Sequence, residues 1–223
     1  MMTLVHMMIR KSRMARRYWR ENGSYLLLCK AIESAAYSTR DWFISKKSNQ
    51  PLHLGKSPKL YGLSHITFGR NFRSGKDLWL EAITSYQGIS YNPRIIIGDN
   101  VGLSDSVHIG STCSIIICDG VLIGSGVVIV DHNHGIYTGE FQSSPDMPPS
   151  QRKLDSSRQV LIGRNVWIGD GVVVLPGATI GDGSVIGANS VVTGCIPANC
   201  IAIGSPARPV RYFDKYSKAW MKG

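Results

Sequence analysis

Residues 162–197 read IGRNVW, IGDGVV, VLPGAT, IGDGSV, IGANSV and VTGCIP, six consecutive hexads that open on Ile162, Ile168, Val174, Ile180, Ile186 and Val192. The second position is mostly small, and the fifth is β-branched, Ser or Ala. A period of six is neither the 3.6 of an α-helix nor the 2 of a strand. It calls for a chain that makes one short strand and one corner per hexad, so that three hexads complete a triangular coil. The opening aliphatic then points inward and stacks on its counterpart in the next coil. The fifth residue also points inward, and Gly, Asn or Asp supply the backbone angles of the corners.

Working upstream, Ile117, Ile123 and Ile129 open ICDGVL, IGSGVV and IVDHNH. After a slip of two residues, Ile97, Leu103 and Ile109 open IGDNVG, LSDSVH and IGSTCS. Residues 97–114, 117–134, 162–179 and 180–197 are therefore four coils, and 61–90 a degenerate earlier one that contains His65-Ile66-Thr67-Phe68-Gly69. The solenoid is expected over 61–210. Residues 131–161, rich in Pro, Ser and Gly, interrupt it as an excursion of the kind that carries function. Residues 1–60 lack the hexad and read as helical, with Leu26, Leu27, Ala31, Ile32, Ala35 and Ala36 forming an apolar face. This segment and the tail 211–223 are the expected end caps of the solenoid.

The net charge of +10 is uneven. Residues 1–60 hold twelve Lys/Arg against three Asp/Glu, and the remainder thirteen against twelve. The basic surplus belongs to the N-terminal segment, which argues against a nucleic-acid-binding face on the solenoid. Together with Trp19, Tyr25, Trp42 and Phe43, the surplus reads either as a peripheral element for an anionic membrane surface or as a solvated cap. No apolar run approaches the ~20 residues of a membrane span, and no secretory signal is read. The five cysteines form no CxxC pair and read as buried small hydrophobes in a reducing, cytoplasmic compartment.

The run from IGRNVWIG to IPANCIAIGSPARPVR resembles the hexapeptide-repeat O-acetyltransferases of maltose, galactosides and surface polysaccharides. IVDHNHG, the excursion and NVWIG together are most similar to the branch acting on capsule, O-antigen or related glycans. The resemblance covers about residues 61–211. It implies a left-handed parallel β-helix, a homotrimer, and acetyl-CoA in a cleft between neighbouring solenoids. It also implies transfer of the acetyl group to a sugar hydroxyl, with no metal. N-acyl transfer to an amino sugar nucleotide and a non-catalytic solenoid scaffold are the competing readings.

O-acyl transfer needs a base for the hydroxyl proton, and histidine has a suitable pKa. His108, His132 and His134 are the candidates. His134 ends the last hexad before the excursion, the place of the family's base, and is preferred; His132 follows. Asp105, with Ser106 beside it one coil below, is the expected orienting partner, and Asp131 the alternative. For the cofactor, the resemblance implies Trp167 beside the acyl site. It places backbone groups at Asp170 and at the Gly187-Ala188 step along the pantetheine, with Thr193 further on. Arg208 and Arg211 are the phosphate anchors, because Arg forks suit phosphate.

Overall fold

The computed structural model describes residues 16, 20, 21, 23, 26, 28, 29, 31, 32, 35, 38–46, 50–155 and 158–223. Its body is a triangular prism of parallel strands wound coil upon coil. Face 1 holds Lys59–Tyr61, Trp79–Ala82, His108–Ser111, Val128–Val130, Val173–Val174 and Val191–Val192. Face 2 holds Ile66–Phe68, Arg94–Ile97, Ser114–Ile117, Val160–Ile162, Thr179–Ile180 and Cys195–Ile196. Face 3 starts at Arg73–Ser74 and climbs through Gly102–Leu103, Leu122–Ile123, Trp167–Ile168 and Val185–Ile186 to Cys200–Gly204.

The registers reproduce the hexad reading. Phe68, Ile97, Ile117, Ile162, Ile180 and Ile196 form one inward column. Leu80, Ile109, Ile129, Val174 and Val192 form another. Leu103, Ile123, Ile168, Ile186 and Ala202 form the third. All are buried. The fifth-position residues Val166, Val172, Ala178, Ser184 and Ser190 are buried with them. Each coil thus buries its aliphatics on the coil below, the main stabilising term of a fold whose contacts are nearest-neighbour.

Two of the three corners are regular. At the corner from face 2 to face 3, Asn71, Asn100, Gly120, Asn165, Gly183 and Asn199 all have positive φ. Carboxylates bind successive coils together there: Asp119 Oδ1 accepts the Asp99 N–H at 2.8 Å, and Asp182 Oδ1 accepts the Arg164 N–H at 2.7 Å. The second hexad position is small for this reason. A Cβ on Gly98 would overlap Asp119 Oδ1, and one on Gly124 would overlap Asp170 Oδ1.

Several boundaries differ from the expectation. The coils begin before position 61: Leu52 and Leu54 are already inside, and His53 bridges Arg73. A hairpin, Ser85–Tyr86 with Ile89–Ser90, leaves the solenoid where an unbroken coil was expected. The tail is not separate from the solenoid. Ala207–Asp214 turns back antiparallel on Cys200–Gly204, and Ala219–Lys222 adds to it, so position 211 falls inside a strand of face 3. At the other end, the helical residues 38–46 cap the first coil. Asp41 is buried and accepts the Leu54 N–H at 2.9 Å, Arg40 reaches the Leu54 carbonyl at 2.8 Å, and Ile44 packs on the core. Leu26, Ala31, Ile32 and Ala35 stay exposed instead of covering that coil; Leu27 and Ala36 lie outside the described residues.

Candidate active site

The third corner, from face 1 to face 2, is where the repeat breaks. The hairpin (residues 83–93) and the long excursion (residues 131–159) both leave the solenoid here, around the tight turn at Thr112-Cys113. Asp131, the last residue before the excursion, is fully buried in this turn. Its carboxylate accepts Ser111 Oγ–H at 2.6 Å, the N–H groups of Thr112 and Cys113 at 2.8 and 3.0 Å, and Thr112 Oγ1–H at 3.2 Å. His132 Nδ1 lies 3.2 Å from Asp131 Oδ1. Burial pushes the Asp131 carboxyl up, but the bonds from His132, Ser111, Thr112 and Cys113 outweigh it and hold the group below the usual carboxylate range. An ionised Asp131 accepts from Nδ1–H, which leaves His132 Nε2 as the proton acceptor.

His134 is carried off the coil. Asn133–His134 pairs antiparallel with Leu154–Asp155, and the His134 side chain is exposed. Its Nδ1 is 3.4 Å from the Tyr86 hydroxyl, which donates to the Ser150 carbonyl at 2.9 Å. Gln87 Nε2 donates to the same carbonyl, and Tyr91 exchanges hydrogen bonds with Leu154, so the hairpin braces the excursion. The excursion is itself organised on the buried Arg152. Its guanidinium binds the Met147 and Pro145 carbonyls and the Tyr137 hydroxyl, which donates to the His134 carbonyl. An open cavity of about 390 Å³, lined by Tyr91, Asn92, Thr112, Ile136, Lys153 and Asp155, separates hairpin and excursion.

Asp105 does not join this group. It sits on the corner between faces 3 and 1, a strand away, where its Oδ1 accepts the Lys76 N–H at 2.9 Å. The carboxylate that touches a histidine is Asp131, and the histidine is His132. The signal in the sequence was the adjacent Asp-His of IVDH; nothing in the hexads pointed to Tyr86.

The expected cofactor residues fall elsewhere on the prism. Asp170 and Ala188 stack on the corner between faces 3 and 1, next to Gly187. The Asp170 side chain is engaged by the Ser125 N–H at 2.6 Å, and its carbonyl by the Asn189 N–H at 2.8 Å. Thr193 lies on the same corner as His132, two coils above, and is exposed. Trp167 projects from face 3 with 54% of its surface exposed, between Leu122 and Val185. A bulge brings the two arginines together. Arg211 pairs with Ile201 and Arg208 with Ile203, while Val210 is bypassed, so residues three apart share the outward face.

A triangular parallel β-helix built of hexads, interrupted at one corner by a long excursion, is a fold that acyltransferases share. The family model "Bacterial transferase hexapeptide (six repeats)" matches residues 159–194. WbbJ of Escherichia coli (strain K12), named as a lipopolysaccharide biosynthesis O-acetyl transferase, is 46% identical over 158 residues, 70% of this chain and 76% of its own. A galactoside acetyltransferase solved with coenzyme A is 26% identical, with a TM-score of 0.51 over 82% of this chain and 76% of that one. The N-acyltransferase AntD of Bacillus cereus shares the fold, with a TM-score of 0.60 at 17% identity over 78% of this chain and 89% of its own. The chain belongs to the hexapeptide-repeat acetyltransferases, enzymes of the left-handed parallel β-helix class.

Proposed function

We propose that this enzyme transfers the acetyl group of acetyl-CoA to a hydroxyl of a surface glycan or its precursor, with His132 as general base. The Asp131–His132 pair at the broken corner carries this reading, and the likeness to WbbJ and to the CoA-bound galactoside enzyme supports donor and acceptor class. His132 Nε2 takes the proton of the sugar hydroxyl as its oxygen bonds to the thioester carbonyl carbon. The carbonyl becomes an oxyanion, and its collapse breaks the C–S bond. The imidazolium returns the proton to the departing thiolate. Asp131 holds the ring and stabilises its charged form. Incubating the enzyme with acetyl-CoA and de-O-acetylated O-antigen oligosaccharide tests the reading: a mass gain of one acetyl per acceptor supports it, and acetylation of amino sugars alone overturns it.

The site is proposed to form between subunits of a homotrimer. His132 occupies the corner between faces 1 and 2, whereas Trp167 projects from face 3, on the opposite side of the prism. One protomer cannot bring both to one acetyl group; adjacent protomers in a closed ring can. Light scattering should give three times the chain mass, and a monomer at working concentration would remove the shared site.

Acetyl-CoA is proposed to lie along the corner between faces 3 and 1, past Asp170, Gly187 and Ala188. Trp167 is at the acyl end, the neighbouring Thr193 is alongside, and Arg208 and Arg211 hold the phosphates. The exposed, shared-face Arg pair and the small side chains suit that ligand. Arg208→Ala and Arg211→Ala should each weaken CoA binding about tenfold while changing dephospho-CoA binding less, as measured by calorimetry. Equal losses for both ligands would mean a structural role.

For the N-terminal segment we infer peripheral contact with an anionic membrane surface from the cytoplasmic side. Among the described residues no helix is long and apolar enough to cross a membrane. Leu28, Ile32, Trp42 and Phe43 are between 52 and 64% exposed on a segment that carries most of the basic surplus. Sedimentation with phosphatidylserine vesicles should fall steeply as salt is raised; salt-independent or absent binding would leave only the capping role.

A further inference from the structure

His108, one coil below His132, opens the strand His108–Ser111 on face 1. Trp79 pairs with it from the coil beneath, and the two rings stack with centroids 4.2 Å apart and planes 19° from parallel. Lys59 lies beyond the indole, its Nζ 5.3 Å from the ring centre. This stack fixes the imidazole without a hydrogen bond: among the described residues the His108 ring has no hydrogen-bonding partner, while its backbone N–H donates to the Val127 carbonyl at 2.9 Å. Two residues along the strand, Gly110 leaves a notch. A Cβ there would stand 3.3 Å from His108 Nε2 and 3.5 Å from His132 Cε1, so both imidazoles border the same small space with Gly110 as its floor. Burial, and then the neighbouring His132, lower the His108 pKa from its ordinary value. That shift favours the neutral imidazole at His108.

We propose that His108 binds the acceptor, its Nε2 hydrogen-bonding a sugar hydroxyl vicinal to the one His132 deprotonates. Two imidazoles on one notch suit a vicinal diol of a pyranose, which would make the enzyme selective for an acceptor carrying a free hydroxyl beside the acetylated one. Gly110 is part of the device, because a methyl group there fills the notch from below.

This proposal rests on glycan O-acetylation at the His132 corner, and the experiment separates the two. With acetyl-CoA and de-O-acetylated O-antigen oligosaccharide, His108→Phe keeps an aromatic stack on Trp79 but loses the hydrogen bond. It should raise the acceptor KM about tenfold, the usual cost of one hydrogen bond to substrate, with CoA affinity and trimer mass unchanged. His108→Gln, which retains a polar group at similar reach, should recover part of the loss. Gly110→Ala should raise the same KM. An unchanged acceptor KM in His108→Phe, or a loss confined to kcat, would overturn the assignment. If wild-type enzyme leaves the oligosaccharide unmodified, the surface-glycan reading fails, and methyl pyranosides replace it as acceptors. Equal KM values for wild type and His108→Phe on those then overturn the His108 role as well.

Discussion

Replacing His132 with Ala will lower kcat by ~10²–10⁴-fold, the range of a positioned general base, while the CoA dissociation constant changes little. The reason lies in the corner. Asp131 stays in place without its neighbour, because Ser111, Thr112 and Cys113 still hold its carboxylate. The fold therefore survives, and the deficit is confined to an interaction made in the transition state. CoA release on de-O-acetylated O-antigen oligosaccharide, with CoA binding measured separately, provides the test. His134→Ala should cost less, since His134 stands out on the excursion against Tyr86. Should His134→Ala lose the larger factor and His132→Ala remain near full activity, the base is the histidine that the hexad count preferred, and the Asp131 pair is structural. If both variants stay active, the imidazole mechanism itself fails for this enzyme.

Gly98→Ala will destabilise the protein by about 2–4 kcal/mol, combining an overpacked contact with the loss of a coil-to-coil hydrogen bond. A Cβ at position 98 would overlap Asp119 Oδ1 and stand 2.8 Å from the Asp119 nitrogen and the Cys118 carbonyl carbon. Moving the Asp119 side chain is not enough, because the backbone of the next coil is in the way. It can retreat only by lengthening the ladder bond from Gly98 N to Ile117 O, now 2.8 Å. Gly194→Ala is the control, with no atom within 4 Å of its added Cβ. Urea unfolding of the two variants should separate them by most of that figure. Equal midpoints would show that the coils tolerate a wider spacing and that the small second position of the hexad has another cause.

The solenoid was legible because its physics is repetitive. Each inward aliphatic meets the same environment one coil away, so Ile162, Ile168 and Ile180 state the fold by spacing alone, and their columns lie where the hexads put them. The positive-φ Asn and Gly of the corners belong to the same local code. The first coil was harder to bound, since Leu52 and Leu54 enter the core without a hexad around them. The hairpin at 85–90 leaves no periodic trace, because the eleven-residue detour 83–93 separates two strands of the coil without a hexad in it.

The site was legible as a place and not as an arrangement. Sequence marked the corner where the hexads stop at IVDHNH and supplied the histidines and the arginines. It could not tell which histidine keeps a carboxylate, because that depends on the turn at Ser111 to Cys113, twenty residues away in the chain and one coil away in space. Within one protomer Asp105 stands apart from both histidines for the same reason. One strand along the coil lies another corner of the prism, where a carboxylate serves a backbone N–H instead of an imidazole. The pairing of Arg208 with Arg211 on one surface required a bulge at Val210, and the notch shared by His108 and His132 required Gly110 between coils. Spacing along the chain determined the repeat, the inward columns and the family. The stacking of coils, which brings distant residues to one corner and separates near ones to opposite faces, decided the active-site contacts.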